Sequence, residues 1–174
     1  MSVVRRVSNR LLHSIARSVP GARLRCFLHR CRGVRIGSDV FIGDDVYLEN
    51  EYPERVEIHD GAQISIRAIV LAHTRGPGWV VIEKDAYIGP TAVVVTSAGK
   101  TLRIGEGAVV GAGVVVTKDV PARTFIPPHP ANPAASVRVP LARAERMEDF
   151  IRGLAPLRPA SATRPPVPDD ATNE

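Results

Sequence analysis

Residues 36–50 read IGSDVFIGDDVYLEN, followed by IHDGAQISIRAIVLAH at 58–73, IEKDAYIGPTAVVVTS at 82–97 and IGEGAVVGAGVVVTKDV at 104–120. Stacked on their first residues, the four lines obey one rule: an aliphatic side chain recurs every six positions. The set is Ile36, Ile42, Leu48; Ile58, Ile64, Val70; Ile82, Ile88, Val94; Ile104, Val110, Val116. Four residues after each comes Val40, Val46, Tyr52, Ala62, Ala68, Thr74, Ala86, Ala92, Ala98, Ala108, Val114 or Val120, all small or β-branched except Tyr52. Glycine directly follows the aliphatic at 37, 43, 89, 105 and 111. A period of six rich in β-branched residues is not a 3.6-residue helical stripe, and no helix-length segments separate the lines as an α/β sheet would need. The repeat predicts a short strand and a turn every six residues, with the aliphatic and the small residue inward and glycine easing the backbone at the bend. Three units close a triangular coil, and a fixed period of this kind marks a solenoid. Coil starts lie 22, 24 and 22 residues apart, so each coil is 18 residues plus a loop of four to six.

A narrow prism filled by Ile, Val and Ala needs few rings, and aromatics are only 5% of these 174 residues. No apolar run reaches the roughly 18 residues of a membrane-spanning helix. Arg5, Arg6, Arg10 and Arg17 interrupt the start, unlike a secretory signal. Two cysteines, Cys26 and Cys31, are no disulfide framework, so a reducing cytoplasm is the expected compartment.

Charge is uneven. Residues 1–38 carry nine arginines and no acid, whereas 39–174 carry fourteen basic and eighteen acidic residues. A basic arm (1–33) therefore precedes the coiled domain (34–134) and suggests an anionic partner. In it Val3, Val7, Leu11, Ile15 and Val19 recur at helical spacing, with Leu12 and Ala16 widening the stripe, until Pro20-Gly21, and a second short helix is expected near 22–32. Such helices would pack on the prism end or a neighbouring subunit, or lie on an anionic membrane face. Nucleic acid is not expected, because aromatics for base stacking are absent. After the prism, proline-dense residues end the coil, LARAERMEDFIRG (141–153) reads as one helix within a 135–154 segment, and the Pro-rich tail 155–174 reads as disordered.

A solenoid is scaffold, so chemistry must come from its surface. Among five histidines, His73 follows Val70 by three, which places it outward at a turn, just before the longest loop of the prism, TRGPGW. His59 reads as a surface turn residue, and His13 and His129 as structural or solvent-facing. Cys26, His29 and Cys31 lack a fourth ligand, so no metal is expected.

Three segments carry a family resemblance: LAHTRG, VVIEKDAYIGPTAVV and VVGAGVVVTKDVPARTF. Over about residues 25–135 the chain resembles the hexapeptide-repeat acyltransferases, such as the maltose, galactoside and polysaccharide O-acetyltransferases. The resemblance implies an all-β solenoid: a left-handed parallel β-helix of about four to five triangular coils, with an N-terminal helical arm and a short C-terminal helix. It also implies transfer of acetyl from acetyl-CoA to a hydroxyl of a sugar or sugar-containing intermediate, a small molecule or a polyprenyl-linked sugar, by a homotrimer. His73 would be the general base, a task that an imidazole suits because the ordinary pKa of that side-chain type lies near working pH. The Gly111-Ala112-Gly113 backbone would lie along the pantetheine arm, and Lys118 would face the CoA phosphates. The chain departs from the family pattern at Tyr87, where Trp is usual, at Pro90, which has no N–H to donate, and at Pro128-His129-Pro130-Ala131, which lacks the usual glycine. These departures leave a non-catalytic hexapeptide scaffold as the alternative. The γ-type carbonic anhydrases, with their closely spaced zinc histidines, fit less well, since His59 and His73 are fourteen apart and no second His follows His73 on its coil.

Overall fold

A computed structural model of the chain describes residues 3–129 and 135–156, with residues 3–6 as backbone alone. The chain divides into two units, 1–129 and 130–174. In the first, helices α1 (Val3–Ser18) and α2 (Ala22–Cys31) lead into the coils. Coil one contains β1 (Arg35–Ile36), β2 (Phe41–Ile42) and β3 (Tyr47–Leu48), and coil two β4 (Val56–Ile58), β5 (Gln63–Ile64) and β6 (Ile69–Leu71). Coil three contains β7 (Trp79–Ile82), β8 (Tyr87–Ile88) and β9 (Val93–Val95). Coil four contains β10 (Thr101–Ile104), β11 (Val109–Val110) and β12 (Val115–Val116), after which β13 (Phe125–Ile126) begins a further turn. Like strands stack in parallel into three sheets: β1-β4-β7-β10, β2-β5-β8-β11-β13 and β3-β6-β9-β12, called here A, B and C. The result is a parallel β-solenoid of about four turns.

The six-residue period translates directly into register. Ile36, Ile58, Ile82 and Ile104 lie one above another in sheet A. Ile42, Ile64, Ile88, Val110 and Ile126 do so in B, and Leu48, Val70, Val94 and Val116 in C. These ladders, with Ala62, Ala68, Ala86, Ala92 and Ala108 fully buried between them, form the core.

Two local expectations need correction. The glycines after the aliphatics do not supply a left-handed backbone. The residue two further on does: Asp39, Asp45, Gly61, Arg67, Asp85, Thr91, Gly107 and Gly113 all have φ between 53° and 69°. Gly43 and Gly89 are needed because coils stack closely: a Cβ there would lie 2.6 Å from Ile66 N and 2.7 Å from Val110 O. Nor does every fourth-after position point inward. Thr74 and Ala98 are exposed and Tyr52 is half-buried, because the C-to-A edge carries the long loops. There Val56, Val80 and Leu102, two residues before the next coil's isoleucine, fill the interior instead.

The helical arm closes the solenoid's first end. β1, β2 and β3 are the terminal strands of their sheets, with a neighbour on one side only, and bare strand edges need hydrogen-bond partners. Three arginines supply them, one per face. Arg30 Nε donates to Ile36 O (3.1 Å), Arg25 Nη1 to Ile42 O (2.9 Å) and Arg32 Nη2 to Leu48 O (3.4 Å). Arg25 also pairs with Asp44, and Arg17 with Asp45. Much of the basic charge that suggested an outside partner is thus engaged inside. The same demand turns α1 over. Val7 (54%), Leu11 (61%) and Ile15 (50%) at the centre of its expected packing stripe are exposed, whereas Ala16 at the margin of that stripe is buried together with the polar Asn9 and His13.

In the second unit, β14 (Ala135–Val137) pairs antiparallel with β15 (Leu154–Pro156). The single helix expected over 141–153 is broken into a 3₁₀ turn, Leu141–Arg143, and α3, Met147–Arg152, by extended backbone at Ala144 and Arg146. Neither piece buries a residue, and short helices persist in proteins mainly through a packed face. The proposed disordered tail lies, from residue 157, outside the described residues.

Burial and the nearby Arg32 guanidinium hold His13 down to about 4 and His29 to about 3, from an ordinary 6.5. Arg32 Nη1 can only donate, so His29 Nδ1, 2.8 Å away, accepts and the ring stays neutral. Below pH about 6.5 the unfolded chain binds protons that the folded chain refuses, so stability falls as pH drops towards 4. Thermal melts across pH 4–7 should show that slope, and the double variant His13→Gln/His29→Gln should flatten it.

Candidate functional site

The C-to-A edge is where the solenoid departs from its period, and His73 stands at the base of its coil-two loop. Gly78 N donates to Ala72 O (2.7 Å), closing residues 73–77 into a small protrusion across which His73 bridges Pro77. Coil three holds that protrusion from its far side, with Gly99 N donating to Pro77 O at 3.0 Å. The His73 backbone is therefore fixed while its side chain remains 30% exposed.

One coil earlier on the same edge, Glu49 points into the gap. It is 0% exposed, an extreme for a carboxylate, and three backbone amides donate to it. Oε1 accepts from Glu51 N (2.8 Å) and Tyr52 N (3.2 Å). Oε2 accepts from Ala72 N (2.8 Å) and lies 2.6 Å from His73 Nδ1. With three amides already donating to it, the carboxylate takes the fourth bond as an acceptor, so the Nδ1 proton sits towards Glu49. The lone pair of Nε2 is left free, which is the tautomer a general base requires. Tyr52 packs edge-on against the imidazole, with centroids 5.9 Å apart.

Glu49 escaped the sequence reading. It lies 24 residues before His73 and follows the inward Leu48, where the repeat marks only a turn. The available signal was stacking arithmetic: coil one to coil two is 22 residues, so Glu49 lies directly under Leu71 and beside Ala72 and His73.

The expected CoA residues lie elsewhere on the chain. Ala112 and Gly113, both exposed, form the B-to-C corner of coil four, and Gly111 is buried there. Ala112 N–H donates no hydrogen bond among the described residues. The matching corner of coil three is Pro90, which has no such amide and whose carbonyl accepts from Gly113 N at 2.9 Å. Lys118 is exposed on the C-to-A edge, two coils beyond His73, and forms no ion pair among the described residues. A single chain therefore presents His73 and Ala112 on different edges, on either side of sheet C. A shallow cleft of about 480 Å³ lined by Arg35, Glu57, His59 and Lys84 includes none of Glu49, Tyr52 and His73. Among the described residues no cluster of three or more His, Cys, Asp or Glu is placed to hold a metal, and Cys26 Sγ donates to Val40 O instead (3.3 Å).

No family model matches the chain. Among curated proteins it is 37% identical over 75 residues to the 2,3,4,5-tetrahydropyridine-2,6-dicarboxylate N-acetyltransferase of Staphylococcus aureus (strain bovine RF122 / ET3-1), a match covering 43% of this chain and 29% of that protein. The same enzyme from strain JH9 matches at 36% over 75 residues, with the same coverage. The chain thus aligns with under a third of the length of these relatives. Among solved structures, the hexapeptide-repeat containing acetyltransferase VCA0836 from Vibrio cholerae superposes with a TM-score of 0.51 at 20% identity, covering 74% of this chain and 88% of that one. The same acetyltransferase from Vibrio cholerae O1 biovar eltor, complexed with acetyl coenzyme A, gives 0.53 at 19% identity, covering 74% and 85%. The solenoid fold is thereby that of a left-handed β-helix acetyltransferase. The superposition and the six-residue repeat thus agree on the fold.

Proposed function

We propose that the protein is an acetyl-CoA-dependent acetyltransferase that uses His73 as general base. The observation carrying this reading is the buried Glu49 carboxylate 2.6 Å from His73 Nδ1, which leaves Nε2 unencumbered at an exposed edge. Nε2 would take the proton of an acceptor hydroxyl as its oxygen bonds to the thioester carbon. The C–S bond then breaks, and the CoA thiolate recovers that proton from the imidazolium. Glu49 fixes the ring and stabilises its transient positive charge, as a buried carboxylate does in a catalytic triad. Because transfer is direct, much of the acceleration comes from holding donor and acceptor together. The resemblance to maltose, galactoside and polysaccharide O-acetyltransferases favours a sugar hydroxyl as acceptor. The named activity of the Staphylococcus relative makes an amine the alternative to include in any acceptor panel.

Acetyl-CoA would lie along Gly111-Ala112-Gly113, with the Ala112 amide towards the pantetheine and Lys118 towards the phosphates. Since Gly111-Ala112-Gly113 and His73 lie on different edges, the reading requires a second chain to bring them together. The faces support a homotrimer. Outward positions of sheet B (Phe41, Gln63, Tyr87, Val109, Phe125) and of sheet C (Tyr47, Ile69, Val93, Val115) are uncharged, and Phe41, Val115 and Phe125 are exposed. Sheet A instead presents Arg35, Glu57 and Arg103. Neighbours would meet across B and C. Peripheral contact with an anionic membrane is supported by the exposed Val7, Leu11, Ile15, Leu24 and Phe27 beside exposed Arg10 and Arg23. Among the described residues no helix is long and apolar enough to cross a membrane.

A scaffold without catalysis is the second reading, favoured by Pro90 at a corner where an amide could have donated. Calorimetric titration with acetyl-CoA separates the two, and no binding at millimolar donor supports the scaffold.

Thioester cleavage with a panel of sugar and amine acceptors tests the chemistry. His73→Ala should lose 10²–10⁴-fold in kcat and Glu49→Gln less, both with acetyl-CoA binding kept. Light scattering should give the mass of a trimer. In vesicle sedimentation the protein should bind anionic but not neutral bilayers, and Leu11→Glu/Phe27→Glu should abolish binding while leaving that mass unchanged.

A further inference from the structure

The geometry points to Arg32, at the end of α2 and outside any contact with His73, as a positioning residue for the Glu49–His73 pair. Arg32 is 4% exposed, and its planar fork is fully engaged. Nε donates to Asn9 Oδ1 of α1 (2.8 Å), Nη1 to His29 Nδ1 (2.8 Å) and Nη2 to the backbone carbonyl of Glu49 (2.8 Å). Longer contacts reach Leu48 O and Asn50 Oδ1, both at 3.4 Å. Asn9 Nδ2 in turn donates to Asn50 O. One guanidinium thus clamps three consecutive residues, 48–50, to both helices of the arm.

The two halves of the pair are held unequally. His73 belongs to coil two and is braced by coil three through the loop contacts at Pro77 and Thr74. Glu49 belongs to coil one, where sheet C ends and no further coil lies beyond it. On that side the arm alone supports its backbone. Arg32 binds the Glu49 carbonyl and makes no bond to the carboxylate, so the side chain stays committed to Ala72 N and His73 Nδ1. Of the three arginines that close the coil, Arg25 and Arg30 serve Ile42 and Ile36 on the other faces. Arg32 alone among them touches the catalytic segment. Without it the 48–50 backbone is free to drift, and the 2.6 Å contact to His73 lengthens. The end cap of the fold is then also the rear support of its chemistry. The inference rests on the proposed role of His73 only for its kinetic readout.

The test compares full-length wild type, Arg32→Met, Arg32→Lys, Arg30→Met and Glu49→Gln. Arg30→Met removes a cap arginine of the same helix whose side chain, among the described residues, hydrogen-bonds Ile36 O and Gly37 O and no residue of the 48–50 segment. Two quantities are read: kcat and KM for acetyl-CoA, and the downfield proton resonance of His73 Nδ1–H, whose loss in Glu49→Gln assigns it. Arg32→Met should lower kcat at least tenfold with KM changed less than twofold, and should lose the resonance or move it upfield. Arg32→Lys keeps the charge but not the fork and should show both changes at smaller amplitude, while Arg30→Met shows neither. A folded Arg32→Met protein with the resonance unmoved and kcat within twofold of Arg30→Met overturns the proposal. If Arg32→Met does not fold, a Lys variant indistinguishable from wild type in both readouts overturns it equally. If wild type turns over no acceptor, the enzymatic reading fails and the resonance alone decides the positioning role.

Discussion

Each coil of this protein lies squarely on the one before, with aliphatic over aliphatic and peptide over peptide, and that vertical alignment governs the rest. It leaves no room for a Cβ at Gly43 or Gly89, where the next backbone passes at 2.6–2.7 Å. It forces the left-handed conformation onto the residue two places later, where aspartate, arginine and threonine serve as well as glycine. It also brings Glu49 of one coil beneath the loop of the next, so a carboxylate and an imidazole distant in the chain become partners at 2.6 Å. The hydrophobic contribution is spread evenly along the three ladders, as expected when each repeat packs mainly on its neighbours.

An axial stack has raw ends, and the first explains the chain's lopsided charge. Nine arginines without an acid suggest a surface for something anionic. In the structure three of them bind main-chain carbonyls of the terminal coil, and two, Arg17 and Arg25, pair with Asp45 and Asp44 of the same coil. The arm's buried side is accordingly mostly polar, with only the small Ala16 and Cys26 beside Asn9, His13, Arg25, His29 and Arg32, and its larger apolar residues Val7, Leu11, Ile15, Leu24 and Phe27 face outward, the reverse of an ordinary amphipathic helix on a core. Hydrophobic periodicity locates such a helix correctly but assigns the wrong face, because here the helix's partner is a row of peptide groups and not an apolar surface.

The solenoid, its coil boundaries and the edge position of His73 were legible because inward positions recur with a strict period and one histidine breaks it beside an insertion. Glu49 was not, since an acidic residue after an aliphatic looks like any polar turn; only the three-dimensional offset of one coil reveals its neighbour. Arg32 was illegible for a related reason: its value lies in reaching three backbone-bearing partners at once, and sequence spacing carries no trace of a fork's reach. Tyr52, Thr74 and Ala98 misled in the opposite direction, as the six-residue rule lapses on the edge that carries the loops.

That edge holds all the slack in the chain. Turns on the other two corners keep a constant four-residue length between strands, whereas the C-to-A connections run from Val95 to Thr101 in one coil and from Leu71 to Trp79 in another. Residues can be added or removed there without shifting any ladder by a single rung. On the role proposed for His73, acceptor preference can therefore diverge through loop length alone, on the one side where the imidazole stands, while the column beneath stays unaltered.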